Sequence, residues 1–304
     1  MTISRREFFA AAAAGSLFAP SMQPAGRLFS GKLCLFSKHL PGMKWTELAR
    51  TVKSLGFDGV DLTVRTGGHV KPEQAKTDLP EAVTSIRSEG LEVPMITTEL
   101  LAATPLAEAI LSTAGRLGIP FFKPGYYRYK FVDVRSELEE AGRDFRSLVQ
   151  LAEQSGIQAG YHNHADYLGA PVWDMARIMD TLDPKWAGYY FDVCHAVTEG
   201  GGAGWKIAFN LAAPRVKMIA VKDFHWEKTA SRGWRRRICP LGEGMVDWKS
   251  YLRLLAQSGF AGPVSLHIEY DIEGSTPAAQ QENTIAAARR DLAFLRDGLR
   301  EAYA

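Results

Sequence analysis

The amino-acid sequence predicts an α/β fold, a closed (β/α)8 barrel, on three observations. From Lys32 onward, eight short apolar runs alternate with longer segments of helical spacing. Several helical segments stop at a glycine and resume as an apolar run, at Gly56, Gly90, Gly118, Gly156 and Gly259. Glycine takes a positive φ without a Cβ penalty, so each marks a helix end. No G-x-G-x-x-G follows the first run, which argues against an open dinucleotide-binding sheet.

The expected strands, in chain order, are 32–36, 59–64, 92–97, 121–124, 158–162, 188–192, 216–222 and 263–269. The clearest helices lie between them. One spans 45–55, with Leu48, Val52 and Leu55 on one stripe. A second spans 136–154, with Leu138, Phe145, Leu148 and Leu151, and the last runs from about 276 to 300. Repeated strand–helix–strand units imply parallel strands with right-handed crossovers. No low-complexity linker divides them, so residues 31–304 are expected to form a single barrel domain.

Residues 1–30 read differently. Ser4-Arg5-Arg6-Glu7-Phe8-Phe9 precedes an alanine-rich apolar stretch from Ala10 to Ala19. That stretch is far shorter than the roughly 20 residues that span a bilayer and suits a signal h-region. The paired arginines resemble a twin-arginine signal, with cleavage after Ala19 or Ala25. The expectation is a periplasmic protein exported by the twin-arginine pathway, with no membrane span in the mature chain.

Composition narrows the function. The formal net charge is +2 with 23% charged residues, and the densest basic run, Arg235, Arg236 and Arg237, is local and reads as a solvated loop face. Nucleic acid is therefore not an expected partner. The three cysteines, Cys34, Cys194 and Cys239, form no C-x-x-C and are expected to be buried free thiols.

Barrel chemistry sits at the C-terminal ends of the strands. Here the fifth ends Tyr161-His162-Asn163-His164, the sixth Asp192-Val193-Cys194-His195, the seventh Lys222-Asp223-Phe224-His225, and the eighth His267-Ile268-Glu269. Five of the seven histidines fall there, which points to a convergent site. Carboxylate and imidazole donors suit a divalent metal ion (Mn, Mg, Co or Zn), and Asp192, Glu269 and a pair of the histidines would supply that set. Lys222, His195, His164 and Glu99 are candidate catalytic groups. Lys123, His162, Asn163 and Trp226 are candidate substrate contacts, with Tyr126, Tyr127, Tyr129 and Trp173 on nearby loops. His195 is expected on the loop after the sixth strand.

These strand ends resemble the xylose-isomerase-like barrel family, which includes sugar-phosphate isomerases and epimerases, ketose 3-epimerases, inosose dehydratases and family-2 apurinic endonucleases. The resemblance covers nearly all of the mature chain. Its most specific pieces are Tyr161-His162-Asn163-His164, Asp192-x-x-His195, Lys222-Asp223, Pro240-Leu241-Gly242-Glu243-Gly244 with Asp247-Trp248, and Glu269. The family's usual metal set is glutamate, aspartate, histidine and glutamate on strands five to eight. Asp192 and Glu269 match it. His162 stands in place of the first glutamate and Ala220 in place of the histidine, with His225 nearby as a substitute.

The resemblance implies a small-molecule carbohydrate substrate, and family members often form homo-oligomers. The leading expectation is a sugar isomerase/epimerase-like enzyme working through a metal-stabilised enediolate. One alternative is a lyase or hydrolase that cleaves 3-keto-glycosides by elimination at the same site. The other is a non-catalytic carbohydrate-binding barrel.

Overall fold

The computed structural model describes residues 28–304; the twin-arginine motif and the apolar stretch behind it lie outside the described residues. In chain order the elements are β1 (Leu33–Phe36), α1 (Trp45–Leu55), β2 (Gly59–Val64), α2 (Ala75–Ser88), β3 (Glu92–Thr98), α3 (Pro105–Arg116), β4 (Phe121–Lys123), α4 (Val134–Ser155), β5 (Gln158–His162), α5 (Val172–Met179), β6 (Ala187–Asp192), α6 (Val193–Ala212), β7 (Val216–Val221), β8 (Asp223–Thr229), β9 (Gly233–Cys239), α7 (Trp248–Gln257), β10 (Val264–Leu266) and α8 (Pro277–Tyr303). Strands β1 to β7 and β10 close into a parallel barrel, β1 pairing with both β2 and β10. This is the (β/α)8 fold expected. All five glycines read as helix stops take a positive φ.

Local chemistry explains the helix starts. Thr104 and Thr276 cap α3 and α8, accepting from the N–H groups of Ala107 and Ala279, each with proline in the first helical position. Asp133 caps α4 through Arg135, which starts that helix at Val134, two residues before the sequence expectation. On α1 the buried stripe is Leu48, Ala49, Val52 and Leu55. Leu48, Val52 and Leu55 each contribute about 1.5–3 kcal/mol by leaving water.

The main core lies between the barrel and its helices. A smaller cluster of Met95, Tyr190, Met218 and Ala220, with Phe121 against it, belongs to the strands' other face and fills the barrel interior. Above it sits a polar layer. Asp61 is fully buried and accepts from Ser265 Oγ and Thr97 Oγ1, both at 2.8 Å, and from Tyr190 Oη at 3.3 Å. Cys34, Cys194 and Cys239 are buried free thiols. No described helix is long and apolar enough to cross a membrane.

One element departs from the sequence reading. Residues 223–239 form an antiparallel hairpin, β8–β9, outside the barrel sheet. The arginines read as a loop face therefore stand on a strand. Arg235 and Arg237 are exposed, whereas Arg236 is half-buried. The hairpin is rooted by Asp223, whose Oδ1 accepts from Phe224 N and Val246 N and whose Oδ2 accepts from Gly242 N, Gly244 N and Trp248 Nε1. Gly244 admits no side chain, because a Cβ there would overlap Asp223 Oδ1.

Candidate active site

The site begins with Asp192, which both ends β6 and caps α6. Its Oδ1 accepts from the backbone N–H of His195 at 3.2 Å. The three-residue spacing between them is that of a helix cap, so His195 stands in the first turn of α6 rather than on a loop. Asn163 fixes the same backbone from β5: its Nδ2 donates to Asp192 O at 2.9 Å, and its Oδ1 accepts from Asp192 N at 2.7 Å.

Three nitrogens then converge on Asp192 Oδ2: His162 Nε2 at 3.1 Å, Lys222 Nζ at 3.4 Å and His195 Nε2 at 3.6 Å. Lys222 also reaches Glu269 Oε2 at 2.8 Å, while Lys38 holds Glu269 Oε1 at 2.8 Å. His162 Nδ1 meets Tyr126 Oη at 2.8 Å, and Arg236 Nη1 lies 3.2 Å from His195 Nδ1. Lys38, Tyr126, His162, Lys222 and Glu269 wall a cavity of about 80 Å³ that also takes in Phe36, Arg65, Lys123, His164, Tyr190 and His267. Larger hollows, between α4 and α5 and between α7 and α8, lie on the outer surface away from the strand ends.

Burial sets the charge states. It holds His162 and His195 well below the usual imidazole range, and the Lys222 charge adds to this. His164 is pushed down to about 3 by the same two causes. For Lys222 burial works against the charge, but Glu269 and Asp192 outweigh it and hold its pKa above the ordinary lysine value. For Glu269 burial likewise opposes ionisation, and Lys222 prevails, keeping it well below the usual carboxylate range. The result is a charged lysine–carboxylate core among neutral imidazoles.

The expected site residues separate into two groups. Lys222, His195, His164, Lys123, His162, Asp192 and Glu269 come together at the strand ends. Asn163 is committed to the Asp192 backbone. Glu99 is exposed, and its Oε1 accepts from Thr66 N and Oγ1, so it braces a loop instead of facing the cavity. His225 and Trp226 are carried away on β8, in register with Arg237 and Arg236. Tyr126 lines the cavity, whereas Tyr129 bonds Asp174 and Tyr127 packs in the core. Sequence reasoning missed Lys38, Arg65 and Arg236. Their signal was position just past β1 and β2, and, for Arg236, alternation along β9.

The donor set fits a divalent ion, with two expected members lost and one gained. His162, Asp192 and His195 place ligand atoms within 4.8 Å of one another. Two neutral imidazoles and a carboxylate suit a borderline cation with open positions. His195 Nε2 is buried without a hydrogen-bond partner among the described residues, as a vacant ligand atom would be. Glu269 and His225 stand outside this group, because lysines hold the first and the hairpin holds the second. His195 takes the place expected of them.

Comparison with known proteins agrees with this architecture. Residues 49–298 match the family described as xylose isomerase-like TIM barrel. The inosose dehydratase of Bacillus anthracis is 24% identical over 170 residues, covering 53% of this chain and 55% of that protein. The chain thus spans about half the length of the curated relatives it matches. Among solved structures, the apo form of 3-keto-D-glucoside 4-epimerase from E. coli superposes with a TM-score of 0.66 at 17% identity, over 88% of this chain and 99% of that one. A xylose isomerase-like TIM barrel protein from Mycobacterium smegmatis, in complex with magnesium, gives 0.68 at 16% identity, over 90% and 98%. At such identities the structural likeness speaks for the fold alone. With a closed eight-stranded barrel, a convergent site at its strand ends and a match over most of its length, the chain belongs to the xylose isomerase-like TIM barrel family.

Proposed function

We propose that the protein is a sugar isomerase/epimerase-like enzyme that removes the proton next to the carbonyl of a keto-sugar. The observation that carries this reading is the Lys222 ammonium, buried between Asp192 and Glu269 at the cavity wall. A lysine held charged there donates to the oxygen on which an enediolate's charge develops. One such donor in a water-poor site lowers the barrier by about 3 kcal/mol.

His164 offers an unprotonated acceptor for that proton, since burial keeps its imidazole neutral. Its Nδ1 donates to the Ala165 carbonyl at 2.8 Å, which leaves the lone pair on Nε2. A divalent ion held by His162, Asp192 and His195 would polarise the substrate carbonyl. The neighbouring structures named for epimerisation and the relatives named for dehydration support a reaction opened by enolisation. The Arg5-Arg6 motif supports a periplasmic site of action on free sugars or glycosides.

A second reading rests on the His164–His195 pair, whose ring centroids are 3.9 Å apart. If one imidazole takes the α-proton and the imidazolium so formed hands it, through its neighbour, to the departing oxygen, the outcome is elimination from a 3-keto-glycoside. Both readings begin with exchange of one carbon-bound proton. Ketohexoses and 3-keto-glycosides incubated with the protein in D2O, with added Mn²⁺, should lose one C–H signal by NMR. In Lys222→Met and His164→Ala the rate should fall about 100-fold or more. Release of the aglycone marks the lyase. Sugar binding without exchange would leave only a carbohydrate-binding barrel.

A further inference from the structure

The cavity carries more positive charge than its own acids balance. Lys38, Arg65, Lys123 and Lys222 line it, against the carboxylate of Glu269 and, behind it, that of Asp192. Lys38 and Lys222 are both paired, at 2.8 Å, with Glu269. Lys123 and Arg65 have no carboxylate within ion-pair distance among the described residues.

Lys123 is the sharper case. It closes β4, is 2% exposed, and lies with Nζ 3.3 Å from the Tyr126 ring centroid. A ring face softens an ammonium's charge without neutralising it. Burial without a counter-ion pushes the Lys123 amine well below the ordinary lysine value, and an arriving anion would draw the proton back onto it. Arg65 follows β2, its Cζ 5.5 Å from the Phe36 ring centroid. With Lys38 it lines both the cavity and an adjoining hollow of about 230 Å³. Strands β2 and β4 flank β3 in the barrel, so both unpaired cations sit on one arc of its mouth. The acid–base and metal-type residues sit on the next arc, at β5, β6 and β7.

We propose that Arg65 and Lys123 bind the anionic group of an acidic sugar, a carboxylate or a phosphate monoester, while its carbonyl end lies toward Lys222 and His164. This builds on the reading of the cavity as a sugar site and names the substrate class. Guanidinium suits either anion as a bidentate partner, and the lysine adds a point charge.

The test is calorimetric titration of the whole protein with D-glucuronate, D-glucose and D-glucose 6-phosphate, at low and high salt. At least one acidic sugar should bind about tenfold or more tighter than glucose, with the advantage shrinking in salt. Glucuronate ahead of the phosphate assigns a carboxylate, and the reverse order a phosphate. In Lys123→Met and in Arg65→Gln the acidic-to-neutral affinity ratio should fall toward one. The first removes a buried amine that no carboxylate pairs and so should fold; the second alters a half-buried residue and gives an independent readout. Equal binding of glucose and both acidic sugars, or a ratio unchanged in both variants, would overturn the proposal and leave the sugar-enzyme reading intact. Failure of every sugar to bind would sink both.

Discussion

Lys222 and Glu269 form an ion pair at 2.8 Å in which the lysine is 1% exposed and the carboxylate 21% exposed. The same ammonium lies 3.4 Å from the fully buried Asp192, so one cation serves two acids from different strands. Removing it leaves both without their shared partner. Lys222→Met should destabilise the fold by about 3 kcal/mol, since breaking a buried pair strands the remaining charge. Urea denaturation of wild type and variant reads this directly. A variant as stable as the wild type would show that the two carboxylates are screened by water instead.

Acidification should withdraw the stabilisation that buried neutral histidines supply, while Asp61, whose carboxyl burial raises to about 6, acts in the opposite sense below that pH. His39 and His164 are held at about 3 in the folded protein, mainly by burial, against about 6.5 when unfolded. Between those values the unfolded chain takes up protons that the folded chain refuses. The stabilisation is therefore full above pH 6.5 and shrinks as pH falls toward 3, by up to about 1.4 kcal/mol per pH unit for each histidine. His39 Nε2 accepts from Ile268 N at 2.9 Å. His39→Gln keeps an acceptor there but cannot titrate, so its stability should vary less steeply between pH 6.5 and 5.

Arg236 should tune the affinity for a metal ion held at His195. An arginine only donates, so its contact with His195 Nδ1 favours the tautomer with the proton on Nε2, the atom a metal would need. Arg236→Gln offers a carbonyl that accepts from Nδ1–H and frees Nε2. Mn²⁺ or Zn²⁺ should bind about tenfold or more tighter in the variant, by competition with a chelating dye. Weaker binding in Arg236→Gln would place the metal on other atoms.

The root of the hairpin should be sensitive to a single atom exchange. Asp223→Asn turns one of two accepting oxygens into a donor facing backbone and indole N–H groups. About 3 kcal/mol of stability should be lost, from charge-assisted hydrogen bonds and the unsatisfied donors left behind. Thermal melts of Asp223→Asn and Gly244→Ala should show similar losses, since both disturb one contact set.

The strands β2 and β5 and the helix α1 have the bounds expected from the sequence, because each is a pure period with a glycine or a polar turn at its end. The last barrel strand was overestimated. Pairing stops at Leu266, and Ile268 N turns to His39, a residue more than two hundred positions away that no local pattern indicates. The hairpin was hidden for another reason. Glu227, Lys228, Arg235 and Arg237 put charge on strands with little apolar alternation, so periodicity carried no signal. At the site, Asp192, His162 and Lys222 were legible because barrel topology fixes where strand ends meet. The exchange of Glu269 and His225 for His195 was not, because it depends on which cations reach Glu269 and on a helix cap.

The cap on α6 has a consequence for ligand capture. Asp192 Oδ1 is tied to the helix N–H of His195, and its backbone is clamped on both sides by Asn163. Rotating that carboxylate would unwind the first turn of α6. Its rotamer freedom is thus surrendered during folding, before any ligand arrives. A guest meets a side chain with no disorder left to lose, which spares about 0.5–1.5 kcal/mol of ordering entropy for this residue alone.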